Sequence, residues 1–284
     1  MLQATMEQRM AFRSIMVHVD VDAHARDRIA VAADLAARFD ALLIGVAAWP
    51  LRKSGALERS GVEYPPTEQA LQDIVVKQLD ELGASFRSAA GSNPGGVEWR
   101  SSQHLPNEVI AEEARAADLV VIGRDRLPGD VYHTFDPAAV ILSCGRPVLM
   151  VPHGVAHVAG RNILVAWKDT REARRAVYDA QPFVTRAQRV SIVAVGPQEL
   201  QERVREQVAD VAGYLERHGA ASTRQIVMST READSHLLLK IAQEEEADLI
   251  VAGAYGRSRL SEWIFGGVTR DLLTKSGVPC LFSN

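Results

Sequence analysis

The sequence predicts an α/β protein made of two doubly wound five-stranded parallel-sheet units in tandem, and three observations lead there. The chain repeats itself: Ala117-Asp118-Leu119-Val120-Val121-Ile122-Gly123 returns as Ala247-Asp248-Leu249-Ile250-Val251-Ala252-Gly253. Short apolar runs alternate with segments of helical period, the pattern of strands joined by crossover helices. The length of 284 residues, 47% of them apolar and 24% charged, suffices for two domains with cores of their own and excludes a disordered chain.

In chain order, strands are expected at about 14–20, 41–47, 96–103, 118–123 and 147–151 in the first half. The second half should place them at about 162–167, 189–195, 222–229, 248–253 and 279–283. The openings answer each other, Ser14 to Asp20 against Asn162 to Lys168, as do the ends, Gly145 to Val151 against Gly277 to Ser283. Between the first two strands, Ala25, Ile29, Ala32, Ala33 and Ala36 form a stripe of small residues that lets a helix lie close on a sheet. In the second half Val204, Val208, Val211 and Leu215 form one helix face, and Gly219 follows as a stop. The joint is Pro152–Gly160, which divides a first domain, 1–152, from a second, 161–284. Pro50–Pro66, with three prolines and two glycines, reads as a surface loop.

A net charge of −4 gives no basic footprint for nucleic acid. Glu7 and Arg9 interrupt the first twelve residues, so no signal peptide is expected, and no run of eighteen apolar residues suggests a membrane span. The expected protein is soluble and cytoplasmic, with no nucleic-acid or membrane partner. Cys144 and Cys280 lack metal or redox spacing and read as small buried thiols. No metal site is expected, since His153 and His157 sit in a segment broken by Pro152 and Gly154. Glu244, Glu245 and Glu246 read as a solvated helix end, and Asp271 and Lys275 suit the dipole of the last helix.

The most informative stretch is 251–280. A buried strand closes at Gly253, Gly256 follows, then Gly266 and Gly267 precede Val268-Thr269-Arg270-Asp271. Glycines at a strand-to-helix turn permit close approach to the backbone, and the following helix offers free N–H groups to an anion. Ligands of doubly wound sheets collect beyond the carboxyl ends of the strands, where these glycines lie. Without a ligand, the same glycines would serve a tight turn. Arg257 and Arg259 stand ready for phosphate or for solvent, and Trp263-Ile264-Phe265 reads as a plug over the core.

This spacing resembles the G-x2-G-x9-G-[S/T] motif of nucleotide-binding universal stress proteins, within the adenine nucleotide alpha-hydrolase-like group of folds. The resemblance covers both halves and is closest to the tandem type. It implies a stress-response protein binding ATP, AMP or another adenine nucleotide in its C-terminal half, with the role of Mg left open. Val195 would then lie near the base, and Ala166, Trp167 and Lys168 beside base and ribose. The amides of Gly256, Gly266, Gly267, Val268 and Thr269 would surround the phosphates, with Gly253 closing the strand and Arg257 assisting. It also implies that Val148–Val151 and Cys280–Ser283 pair within one chain, as two family protomers do, leaving a homodimer of the tandem chain open.

The departures point elsewhere. Gly267 stands where the motif has a hydroxyl, and Lys168 where the family has an acid beside the nucleotide, which leaves the lysine either to pair with Asp169 or to meet an anion. In the first half Asp20 keeps the acid, but Arg126 replaces the second glycine and Asp136-Pro137 replace the third and its neighbour. Proline offers no N–H and aspartate repels phosphate, so this half reads as a scaffold or partner-binding unit. A protein–protein regulatory module without nucleotide is therefore the alternative function. No nucleophile elbow, P-loop lysine or Ser-His-Asp arrangement suggests an enzyme, although slow hydrolysis of a bound nucleotide stays open. An adenylating enzyme or electron-transfer flavoprotein subunit of related fold is disfavoured, because no S-G-G-x-D-S loop is present.

Overall fold

The computed structural model describes residues 11–51, 67–124, 134–196, 198–229, 235–254 and 267–284. Residues 52–66 of the expected loop lie outside them, as do Arg126, Gly256, Arg257, Arg259, Trp263, Ile264, Phe265 and Gly266. The first half runs β1 (Ser14–His18), α1 (Ala25–Phe39), β2 (Leu42–Ala48), α2 (Glu68–Ala90), β3 (Val97–Ser102), α3 (Pro106–Glu113), β4 (Leu119–Gly123), α4 (Pro137–Ser143) and β5 (Val148–Val151). The second runs β6 (Asn162–Trp167), α5 (Arg171–Asp179), α6 (Gln181–Val184), β7 (Arg189–Gly196), α7 (Gln201–Arg217), β8 (Thr223–Ser229), α8 (Ser235–Glu244), β9 (Leu249–Gly253), α9 (Gly267–Lys275) and β10 (Cys280–Ser283).

Local chemistry explains the helix boundaries. Thr67 accepts the Ala70 N–H at 3.2 Å and Thr170 the Ala173 N–H at 3.2 Å, so α2 and α5 both begin on threonine caps. The small-residue stripe of α1 is buried at Ala25, Ile29, Ala32 and Ala36. On α7 Val208, Val211 and Leu215 are buried; the chain then leaves the helix through Gly219 at φ +97°, with the Ala220 N–H bonded to the Leu215 carbonyl. Each half is a five-stranded parallel sheet, and the two join into one ten-stranded sheet ordered β3-β2-β1-β4-β5-β10-β9-β6-β7-β8. The repeated Ala-Asp dipeptide has a structural purpose. Asp118 accepts the N–H groups of Arg13 and Ser14 at 2.7 and 3.0 Å, and Asp248 those of Arg161 and Asn162 at 2.9 and 3.1 Å. Each aspartate thereby fixes the start of its half's first strand.

At the seam β5 and β10 run antiparallel, pairing Met150 with Cys280, Leu149 with Leu281 and Val148 with Phe282. All six side chains are buried, which closes two sheet edges that would otherwise invite association. Side chains alternate across a strand, so the sheet separates two cores. One holds Leu149 and Leu281 with α1, α2, α5 and α7; the other holds Met150, Cys280 and Phe282 with α3, α4, α8 and α9. Both cores run through both halves. Phe12, Phe39 and Phe183 add an edge-to-face aromatic cluster across the halves, with ring centroids 5.2 to 5.8 Å apart. Arg124, just after β4, donates to the Ser276 carbonyl at 2.9 Å, placing a first-half cation at the end of α9.

The expectation of a fully solvated acidic run at 244–246 is corrected at one position. Glu245 is buried: Ser191 Oγ donates to it at 2.7 Å and Arg224 pairs with it at 2.9 Å. A buried carboxylate needs such partners, and they come from β7 and β8, which lie far from it in sequence. Cys144 and Cys280 are free and buried, as expected, and burial pushes both thiols up, Cys280 to about 12. Asp271 and Lys275 pair at 3.0 Å along α9. Among the described residues no helix is long and apolar enough to cross a membrane.

Candidate functional site

The candidate site lies beyond the carboxyl ends of β6, β7 and β9. Ala166 pairs with Val193 on β7 and with Ala252 on β9. Ala166 and Val195 are partly buried and pack on the core that also takes Val268 and Leu272 of α9. The strand ends thus offer a floor of small apolar side chains on the face that carries α9. Thr269 is buried in the first turn of α9. An added Cβ on Gly267 would meet nothing within 4 Å among the described residues, and residues 255–266, which precede it, lie outside them.

Gly253 has a different role. A Cβ there would sit 2.4 Å from the Ala173 nitrogen and 2.6 Å from the Glu172 carbonyl carbon, so the close approach of α5 alone demands glycine. The tight-turn reading therefore accounts for this glycine. Gly256, Arg257 and Gly266 lie outside the described residues.

Trp167 and Lys168 diverge in environment. Trp167 is buried on the opposite face, in the core under α5 and α7, and its indole N–H has no hydrogen-bond partner. Lys168 is exposed and forms no ion pair among the described residues. Of the two readings of Lys168, the pairing with Asp169 is not formed: Asp169 pairs with Arg174 and accepts from Gln207 at 3.3 Å. Position on α5 decides this, since Arg174 is one helical turn on from the loop.

The same place in the first half is filled from within. His18, at the position of Ala166, is buried, and its ring meets Phe135 edge to face at 4.7 Å. Asp136 caps α4 with its own carboxylate, accepting the Ala138 N–H at 3.1 Å, and its backbone N–H donates to Asn107 at 2.7 Å. Pro137 holds the first helical position. An internal anion thus occupies the seat that an external one would use.

Beside Gly123 the closure is complete. Arg28 is buried and donates from Nε to the His18 carbonyl at 2.9 Å, from Nη2 to Asp20 at 2.7 Å and from Nη1 to Asp22 at 3.3 Å. A Cβ on Gly123 would lie 2.3 Å from Nη1, so this glycine admits a guanidinium of the chain itself. Burial would raise the Asp20 carboxyl, but Arg28, His18 and the Asp22 amide outweigh it and hold it far below the usual carboxylate range. His18 Nδ1 lies 3.4 Å from Asp20, close enough to act electrostatically though not aligned as a hydrogen bond. Sequence reasoning missed Arg28 and His18. The signal was available, because Arg28 falls on the small-residue stripe of α1, where a charge is buried and needs a partner.

Among the described residues, no three His, Cys, Asp or Glu side chains are grouped to hold an ion. His153 stacks on His24 at 4.1 Å, and His157 pairs with Asp34 at 3.2 Å, so they fasten the joint to α1.

Residues 160–283 match the model of the universal stress protein family. A universal stress protein from Methanocaldococcus jannaschii is 39% identical over 44 residues, 16% of this chain; the match spans 27% of that relative. Among solved structures, a universal stress protein from Archaeoglobus fulgidus DSM 4304 superposes with a TM-score of 0.68 at 14% identity, covering 95% of this chain and 98% of its own. A functionally unknown protein from Pseudomonas aeruginosa PAO1 gives 0.57 at 18% identity, with 98% and 94% coverage. At these identities the solved structures establish the fold alone.

Proposed function

From the tandem universal-stress-protein-like architecture as premise, we propose that this is a cytoplasmic stress-response protein whose second half binds an adenine nucleotide, ATP or AMP. The carrying observation is the start of α9 at Gly267, where an added Cβ meets none of the described residues within 4 Å, beside the apolar floor of Ala166 and Val195 at the strand ends. A helix start favours an anion through its free N–H groups and its dipole. In this reading the amides of Gly267, Val268 and Thr269 hold phosphate. Gly256, Arg257 and Gly266 would complete the cradle and Lys168 flank the sugar side, while the Trp167 side chain packs in the opposite core. The ligand is carried, with no catalytic residue assigned.

The first half serves as scaffold or partner-binding unit in this reading. Its self-capped α4 and its Arg28–Asp20 pair favour that role over a second ligand site. The same closure supports the alternative that the whole chain is a protein–protein regulatory module. Denaturing the purified protein, identifying any released ligand by mass spectrometry and titrating ATP calorimetrically separates the two. Released nucleotide or heat with ATP is expected; neither appearing would overturn the nucleotide reading and leave the module.

A further inference from the structure

The ten-stranded sheet ends on the third strand of each half, β3 on one side and β8 on the other. Among the described residues each pairs on one side only, β3 with β2 and β8 with β7. The alternation of backbone groups fixes what the other side offers. The Ser222 carbonyl accepts the Val190 N–H at 2.9 Å, so Arg224, Ile226 and Met228 point their backbone groups at β7, while Thr223, Gln225, Val227 and Ser229 point theirs outward. By the same count the Ser102 carbonyl, which accepts the Trp49 N–H at 2.9 Å, leaves Val97, Trp99 and Ser101 facing outward on β3.

The two edges are guarded unequally. Pro94 and Pro106 flank β3, which carries Glu98 and Arg100 joined at 2.8 Å, with Arg100 held in turn by Glu113 at 2.6 Å. Prolines and charges are what keep an edge strand from pairing with another chain. The seven residues of β8 include no proline and no lysine, and their one charge, Arg224, is drawn back onto Glu245 at 2.9 Å. Gln225, Ile226, Val227 and Met228 follow without a charge, and Met228 is exposed.

We propose that β8 is the docking edge for β8 of a second copy of this chain, antiparallel about a two-fold axis at Ile226. The protein complement of an outward row of N–H and C=O groups is an extended strand with an unpaired side of its own. Within this chain the sheet ends offer two such strands, and β3 is guarded. The pairing of β8 with itself is consistent in register. Gln225 meets Val227 of the second copy as a hydrogen-bonded pair, both facing outward, and Ile226 meets its own counterpart as a non-hydrogen-bonded pair. Arg224 falls opposite Met228, so no like charges oppose each other. The seam already joins two copies of the unit in this way, β5 antiparallel to β10. A two-fold contact occupies the β8 edge of both copies, and the guarded β3 edges end the assembly at a dimer.

The test is the mass of the full chain in solution, by light scattering after size exclusion at micromolar concentration. Wild type should show twice the chain mass of 31.0 kDa. Gln225→Pro removes an outward N–H of β8 and should give the monomer, whereas Ser101→Pro does the same on β3 and should leave the dimer. Proline is tolerated in an edge strand where the lost N–H faces away from the sheet, so both variants should keep the fold. Ile226→Cys probes the axis. Its Cα should lie about 4.5 Å from its counterpart, within reach of a disulfide, so a mild oxidant should lock the dimer, while Gln225→Cys should stay unlinked. The native thiols are both buried and do not compete. A monomeric wild type, a dimer that survives Gln225→Pro, a dimer dispersed by Ser101→Pro, or a dimer that Ile226→Cys does not lock overturns the inference.

Discussion

The carboxyl ends of β1 and β4 and those of β6 and β9 are the same place in two copies of one unit, yet the described residues fill them differently. In the first half an arginine, a histidine, a phenylalanine and a capping aspartate fill the space. At the corresponding positions the second half has Ala176 and Ala166 for Arg28 and His18, while Phe265 and Gly266, the counterparts of Phe135 and Asp136, lie outside the described residues. Duplication frees one copy from a shared constraint. In the first half the strand ends and the helix start are satisfied by the chain's own charges, Arg28 with Asp20 and Asp22 and the Asp136 cap.

The sharpest way to break the comparison is to remove the internal cation. Arg28→Ala leaves Asp20 without its main partner in a site where both are largely shielded. It should cost about 3–5 kcal/mol, read as a lower urea midpoint, and adding Asp20→Asn should recover part of the loss. The same pair sets an acid dependence. The Asp20 carboxyl is depressed in the folded state, so its contribution is complete above the unfolded value, near pH 4, and is lost as pH falls toward the folded one. Asp20→Asn should therefore flatten the acid limb of the stability curve, and an unchanged limb would contradict the pairing.

Leu281→Ala probes what the halves share. A fully buried leucine at the seam should cost about 2–5 kcal/mol, lowering the thermal midpoint of the chain as one transition. Two separate transitions would mean that the halves do not stabilise each other. Asp136→Ala removes the cap of α4, for about 0.5–2 kcal/mol, while the second half's ligand affinity stays as it was. The smallest effect is expected at the start of α9. Gly267→Ala, at the first position of α9, puts a methyl where none of the described residues lies within 4 Å and should change stability by less than about 1 kcal/mol. Both cysteines should resist a thiol reagent at pH 8 until the chain is unfolded, because burial keeps them protonated.

Much of the fold is legible in the sequence because strand and helix periods are local. Val208, Val211 and Leu215 announce their helix face, and 162–167 announces its strand, within a few residues of each other. The buried Glu245 was not legible, since Ser191 and Arg224 reach it from other strands. Nor was the role of Gly253, where the spacing suggests a ligand and the approach of α5 supplies a sufficient reason.

By itself the sequence determined the duplication, the strand order within the chain and the loss of a glycine cradle in the first half, all carried by which residue types follow one another. Only the tertiary structure decided that Arg28, His18 and Phe135 converge at the strand ends of the first half, and that Lys168 forms no ion pair among the described residues. Those outcomes depend on which distant side chains converge at the strand ends, and convergence is a property of packing.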